Sequence, residues 1–428
     1  MRKLKRLTEL LLGLLLIFSF GVSFAAAEEK NGNAENLTEQ CVYSSDLYNS
    51  YYQVKLSDHD FESAQTFQKG IRVSLQWAED VPVKTVAILF YKVPGKCRFL
   101  QYDADENLLC ETQGSGFLNE FITVENNTKK VTVVPEEEIA ICSFYAYGDG
   151  TIKSQHDWAP TPEKVDYMVI ATHPDDDVLF LGAIVPIYTG EQKYEGTIYY
   201  VTSTLRRRKN EAMNGAWAMG LRTMPILGGF RDIPQQNANP HDPDFRWPRL
   251  VQEMVRLFRE HQPEVVFTHD QRGEYGHWQH VRVSNAVREA VLLAANPEYD
   301  PESVLTYGVW EVKKLYLHLY PENKISIPAS EPLTAFGGRS AKEVAEEAFL
   351  CHESQMISRH RVTDEGVYSL SDFGLAYTTV GYDTEGLNDP FEHIGINTET
   401  ALHMKVSESI EKAILAFSGN GVRTEDRQ

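Results

Sequence analysis

Positive charge is scarce in this chain: 41 Lys and Arg stand against 61 Asp and Glu, a formal net charge of −20 over 428 residues. So anionic a molecule repels nucleic acid and anionic lipid surfaces, and no segment reads as a basic groove, so nucleic acid is excluded as a partner. Cysteine is scarce as well, five in all: Cys41, Cys97, Cys110, Cys142 and Cys351. None has metal-site spacing, which excludes a cysteine-ligated zinc module, while one or two disulfides among the first four stay open. Internal repeats are absent, and beyond the N-terminus no run is apolar enough to span a bilayer.

The one long apolar run lies at the start. Arg2, Lys3, Lys5 and Arg6 precede an almost wholly apolar stretch over residues 10–20, and Ala25-Ala26-Ala27 offers a small-residue cleavage site. Residues 1–27 therefore read as a secretion signal, which predicts a secreted or extracytoplasmic protein. The competing reading is an N-terminal membrane anchor, since residues 10–27 reach the lower limit for spanning. No cysteine follows the run, which disfavours a bacterial lipoprotein anchor. Cleavage would remove a net +3 and leave a mature charge of −23.

The length predicts more than one domain. After a leader expected to be disordered (28–40), residues 41–154 show short alternating apolar runs (71–77, 85–91, 130–134 and 139–147) punctuated by Gly, Asn, Asp and Pro. That rhythm predicts an antiparallel β-sandwich. It resembles a discoidin-type, galactose-binding-like jelly roll, and the resemblance implies either a glycan ligand or a purely structural module. Residues 155–164 read as a linker. Over 165–398 strands and helices alternate: strands near 166–171, 197–202, 224–228, 264–268 and 313–319, and helices near 177–188, 207–220, 246–260, 277–294 and 341–356. This order predicts an α/β fold with a Rossmann-like, doubly wound, mostly parallel sheet. Residues 369–377 read as an aromatic loop that closes over a substrate or covers the sheet edge. Residues 399–428 read as a short amphipathic helix and a polar tail.

Chemistry concentrates at two strand ends. Residues 165–181 read VDYMVIATHPDDDVLFL, a buried-strand pattern that stops at His173-Pro174-Asp175-Asp176-Asp177. An α/β sheet places its ligands there, although an acidic turn capping the next helix would use Asp too. A further ligand elsewhere decides between the two. After the apolar run 265–268 come His269 and Asp270, then His277 and His280, three apart at a helix start and so on one face. Two strand ends that each supply His and Asp favour a metal site. Two imidazoles and one carboxylate make a three-ligand zinc site with an open position, although the same set accepts iron or cobalt. The surplus groups suit a hydrolase: a carboxylate takes a proton from water, and a histidine steadies an oxyanion or protonates a leaving group.

These residues resemble the PIG-L/LmbE-type deacetylases over about residues 164–295. The family's AxHPDD(E/D) stands at Ala171 to Asp177, and its GxxxHxxH runs from Gly273 to His280. Its RxxExxxAxxxLG appears as Arg208-Lys209-Asn210-Glu211, with Gly215 where Ala is usual and Met219-Gly220 for Leu-Gly. The resemblance implies a zinc enzyme, with one Zn2+ per chain, that removes acetyl groups from N-acetylglucosamine-containing glycolipids or glycoconjugates. It makes His173, Asp176 and His280 the metal ligands and Asp175 the general base on the activated water. His277 becomes the group that stabilises the tetrahedral intermediate or protonates the amine. Arg208 matches a sugar-contacting arginine, and Asp232 an acidic contact to a sugar hydroxyl. Asp177, where Glu is more usual, is implied to alter only packing or outer hydrogen bonds.

Other readings of these side chains stand beside it. Glu211 would pair with Arg208 along the helix, and His269 and Asp270 would cap the strand or orient a ligand. Trp217, Trp247 and Trp278 read as core or pocket wall, with Trp278 the one placed to stack on a sugar. Two other functions fit: a zinc amidase for a non-sugar amide, and an inactive hydrolase-like surface module that binds glycans. Oligomeric state is open.

Overall fold

Short strands rich in apolar residues build the first unit of the chain, nine of them among the described residues; the strand over Thr85–Phe90 is buried at every position and that over Ile139–Tyr147 at every position but the last. A computed structural model describes residues 32–47, 56, 58, 60–239, 241–356 and 360–395. The chain divides into two units between Gln155 and His156. The expected signal segment (1–27) and C-terminal helix and tail (399–428) lie outside the described residues.

The first unit holds β1 (Cys41–Ser45), β2 (Gln65–Phe67), β3 (Val73–Trp77), β4 (Thr85–Phe90), β5 (Cys97–Tyr102), β6 (Leu108–Gln113), β7 (Asn119–Thr123), β8 (Lys130–Pro135) and β9 (Ile139–Tyr147). They form two antiparallel sheets, ordered β1-β3-β8-β5-β6 and β2-β9-β4-β7. The inner faces share one core, in which Val73, Leu75, Val131 and Val133 from one sheet join Val86, Ile88, Ile141 and Phe144 from the other. This is the sandwich that the alternation predicts. No disulfide staples it, and all five cysteines are free thiols. The two-residue period explains part of this: Cys97 faces the shared core, whereas Cys142 belongs to a separate cluster with Ala87, Leu89 and Tyr145.

The second unit contains β10 (Tyr167–Ala171), α1 (Asp176–Leu179), β11 (Gly196–Tyr200), α2 (Arg206–Ala218), β12 (Ile226–Leu227), α3 (Trp247–His261) and β13 (Val265–Thr268). There follow α4 (Trp278–Leu293), α5 (Pro301–Tyr307), β14 (Lys314–His318), β15 (Lys324–Ser326), α6 (Ala341–Phe349) and β16 (Asp372–Thr378). The seven-stranded sheet runs β12-β11-β10-β13-β14-β16-β15. Its first five strands are parallel, β16 runs antiparallel to them, and β15, antiparallel to β16, runs in their direction again. Strand order reverses between β10 and β13, so the loops leaving those two strands diverge and open a crevice at their C-terminal ends.

Side-chain periodicity sets which helices cover which face. Met168 and Ile170 of β10 join the core under α3 and α4. On α3, Leu250, Val251, Met254, Val255 and Phe258 are buried on one stripe. The buried Arg259 guanidinium donates to the carbonyls of Leu293, Ala294, Asn296, Tyr299 and Asp300, and so caps the C-terminus of α4. On the other side α6 packs against α1 and α2.

The structure departs from the sequence reading at several elements. Residues 32–40 of the leader expected to be disordered bridge to Thr151 and Tyr147 and bury Leu37 in the core of the first unit, and the helix expected near 341–356 ends at Phe349. The helix expected near 177–188 is a four-residue α1 and then a π-helical stretch, Val185–Glu191. Pro186 cannot donate a backbone hydrogen bond there. The strand expected near 224–228 shrinks to Ile226–Leu227. Residues 369–377, read as a loop, instead contain β16, which pairs with both β14 and β15. Its Phe373, Gly374 and Leu375 are all buried; β14 and β15, which flank it, lie far away in sequence.

Candidate active site

His173 leaves β10, and His277 and His280 open α4, so the strand-order reversal brings both histidine-bearing loops into one crevice. His173 Nδ1 lies 3.1 Å from Asp176 Oδ2 and 3.0 Å from His280 Nε2, and the latter two atoms are 3.3 Å apart. Ligand atoms held about 2.0–2.1 Å from zinc at tetrahedral angles stand about 3.3 Å from one another. The triangle therefore fits a metal ion. His277 adjoins it, its ring centroid 4.8 Å from that of His173 and 4.7 Å from that of His280. His269 Nε2 is 3.5 Å from Asp176 Oδ2 but accepts the Thr172 N–H at 2.9 Å, so its lone pair is already engaged.

Hydrogen bonds at the far side of each ring fix which nitrogen is free to ligate. Gln279 Oε1 lies 3.1 Å from His173 Nε2 and accepts the Ile233 N–H at 3.0 Å, while its amide nitrogen donates to Arg231 O. Both ends of that amide are thereby oriented, so His173 donates from Nε2 and keeps its Nδ1 lone pair. His280 Nδ1 donates to Glu274 Oε2 at 2.7 Å, leaving Nε2 for the centre. Such carboxylate–imidazole–metal arrangements orient ligands.

Charge follows the same plan. Burial opposes ionisation of Asp176, but the His280 and His173 rings outweigh it and hold the carboxyl well below the usual range. For His280, burial works against Asp176 and Glu274, which prevail and raise it to about 10. The cluster thus demands positive charge at its centre, met by a proton or by a metal ion that displaces one. Asp175 is pushed up to about 6, chiefly by burial, with Arg208 pulling the other way. Its backbone sits at φ 148°, a region non-glycine residues rarely enter and one that marks stored strain.

Arg208 reaches the site from α2. It donates to Asp175 Oδ1 at 2.8 Å, to Asp232 Oδ2 at 3.1 Å and to the Pro174 carbonyl. Asp232 Oδ1 is 3.7 Å from His173 Nε2. All seven residues singled out from the sequence thus gather in one crevice. Burial, followed by the neighbouring His173 and His280 rings, pushes His277 down to about 3, so its ring is neutral at neutral pH. Asp177 accepts the Tyr200 hydroxyl at 2.7 Å beneath the site.

Other side chains settle differently. Glu211 does not pair with Arg208; it accepts from Ser354 N and Oγ and from Arg207 Nε. Trp278 donates to Ile233 O and packs on Phe245, as wall rather than platform. Tyr275, at φ 45° and half exposed, forms an aromatic rim with Phe180, His360 and Tyr368. Glu274 and Gln279 escaped the sequence reading, since nothing in the spacing distinguishes a buried glutamate or glutamine from a solvated one.

Gly215 has a steric reason. A methyl group there would come within 2.7 Å of Nε2 of the fully buried His352. Gly215→Ala is therefore expected to destabilise by about 1–3 kcal/mol through overpacking, against the roughly 1 kcal/mol gain usual in a helix interior. Urea unfolding of Gly215→Ala with and without His352→Ala measures this; a more stable single variant, or additive effects, would refute the contact.

Comparison with known proteins matches the PIG-L family, described as GlcNAc-PI de-N-acetylase, to residues 168–291. A 1D-myo-inositol 2-acetamido-2-deoxy-alpha-D-glucopyranoside deacetylase of Catenulispora acidiphila is 27% identical over 190 residues, 37% of this chain and 57% of that protein. One from Frankia casuarinae is 30% identical over 190 residues, again 37% of this chain and 58% of its own length. The chain thus spans less than two thirds of these relatives. Among solved structures, an N,N'-diacetylchitobiose deacetylase from Pyrococcus horikoshii overlays with a TM-score of 0.36 at 17% identity, covering 45% of this chain and 71% of that one. Residues 168–291, the stretch that matches the PIG-L family, carry every one of the seven site residues.

Proposed function

We propose that this protein is an exported, zinc-dependent hydrolase that removes an N-acetyl group from an N-acetylglucosamine-type sugar or glycoconjugate. The observation that carries the reading is the His173–Asp176–His280 triangle, with a second carboxylate, Asp175, held beside it by Arg208. When bound, zinc supplies Lewis acidity, which lowers the pKa of water to about 7 and polarises a carbonyl oxygen. Asp175, raised toward neutrality, takes the attacking water's proton and returns it to the departing amine. His277, neutral at working pH, donates an N–H to the developing oxyanion rather than storing a proton. This favours the first of the two roles that the resemblance left open for it. Arg208 and Asp232 offer a donor and an acceptor to sugar hydroxyls at the mouth of the same site. The deacetylase names of the similar proteins support the amide and sugar chemistry, and the sequence of residues 2–27 supports export. The galactose-binding-like first unit is proposed as a glycan-holding module.

Acetate release tests the reading. The purified chain, with about one zinc bound, should release acetate from N-acetylglucosamine-bearing compounds and not from simple acetamides. Equal rates on both would favour an amidase indifferent to sugar, and zinc uptake without acetate release would leave only the binding module.

A further inference from the structure

Four donors converge on one buried carboxylate outside the proposed ligand set. Glu274 is 1% exposed. Its Oε2 accepts from His269 Nδ1 at 2.8 Å and His280 Nδ1 at 2.7 Å. Its Oε1 accepts from His318 Nδ1 at 2.8 Å and from the Asp270 N–H at 3.1 Å. We propose that Glu274 is the positioning residue of the metal site: one carboxylate sets three imidazoles, so that His280 presents Nε2 to the centre and His269 holds the strand end bearing His173.

The opposite nitrogen of each ring has its own task. His280 Nε2 completes the ligand triangle. His269 Nε2 accepts the N–H of Thr172, the residue just before His173, and so ties the β10 end to the β13 loop. His318 Nε2 lies 3.0 Å from Ser369 O and ties β14 to the segment ahead of β16. Strand ends distant in sequence are thus registered against one another through a single side chain, and each link is directional. Only an acceptor at Glu274 keeps the protons on Nδ1 of His269 and His280. If His280 turned its proton to Nε2, the ligating lone pair would be lost. If His269 did so, it would confront the Thr172 N–H.

Glu274→Gln keeps the shape but replaces one acceptor oxygen by a donor NH2, which must face two of the four N–H groups whichever way it turns. The inference rests on the metal-site reading above, and the test separates the two. Zinc affinity of the full chain is measured by chelator competition, beside thermal melting of the metal-free forms. Glu274→Gln should weaken zinc binding by about 10–100-fold, the effect usual for outer partners of ligands. His318→Gln, which leaves His280 and His269 on Glu274, should lower the melting temperature with a much smaller change in affinity. Wild-type affinity in Glu274→Gln, or equal losses in both variants, would overturn the proposal. The 15N shifts of the wild-type histidines decide it even where a variant does not fold. His269 should carry its proton on Nδ1 with or without metal, and His280 should bind zinc through Nε2; the opposite nitrogen in either ring would overturn it. A wild-type chain that takes up no zinc would instead defeat the metal-site reading, while the His269 tautomer would still report on Glu274.

Discussion

Asp175→Asn is expected to lower kcat by about 10²–10⁴-fold, the span of a positioned general base, with zinc content unchanged. In the proposed site His173, Asp176 and His280 would hold the metal, whereas Asp175 is fixed by Arg208 at 2.8 Å, and an asparagine oxygen can still accept that bond. What the amide cannot do is take a proton. The wild type should also show an acid limb in kcat/KM. Burial raises the Asp175 carboxyl from its ordinary 3.8 to about 6, and a bound cation draws it part of the way back. Below its pKa the carboxyl is protonated and cannot act as base, so activity falls as pH falls through a value between those limits. The limb should vanish from the residual activity of Asp175→Asn. A variant with wild-type turnover, or one that keeps the same limb, would assign the proton transfer to another group.

His173→Ala is expected to remove the metal and, with it, the activity. Two ligand atoms remain, Asp176 Oδ2 and His280 Nε2, and the Gln279 amide loses the ring it orients. A Lewis acid contributes several kcal/mol to such a reaction, at about tenfold in rate per 1.4 kcal/mol. Residual turnover should therefore fall by several orders of magnitude. Added zinc should raise the melting temperature of the wild type by preferential binding to the folded state, and should leave His173→Ala near the metal-free wild-type value. Stoichiometric zinc in purified His173→Ala would show that the donor set is wrong, with His277 the nearest substitute. Melting far below the metal-free wild type would mean that the ring is structural as well.

The Asp175 and His173 experiments concern residues visible as a motif, because contiguous or i,i+3 spacing along a strand end or helix is read directly from the chain. Alternation over residues 71–147 announced a sandwich, and the spacing of apolar runs announced parallel strands with crossover helices. What spacing cannot announce is a partner a hundred residues away. The resemblance offered Arg208 as a sugar contact; the fold adds that its guanidinium also holds Asp175, Asp232 and the Pro174 carbonyl. Glu211 looked like its neighbour's ion-pair partner, yet it holds Ser354.

From residues alone came the two chemical segments, His173 to Asp177 and His277 to His280, the doubly wound order and the deficit of positive charge. Tertiary structure alone decided that Gln279 and Glu274 face the outer ring nitrogens of His173 and His280, that residues 372–378 extend the sheet, and that Cys97 and Cys142 face different clusters. The division has a physical reason. Local periodicity reports which face of an element is apolar, whereas hydrogen-bond acceptors buried beside a site are selected by the strand order that brings distant loops to the same sheet edge.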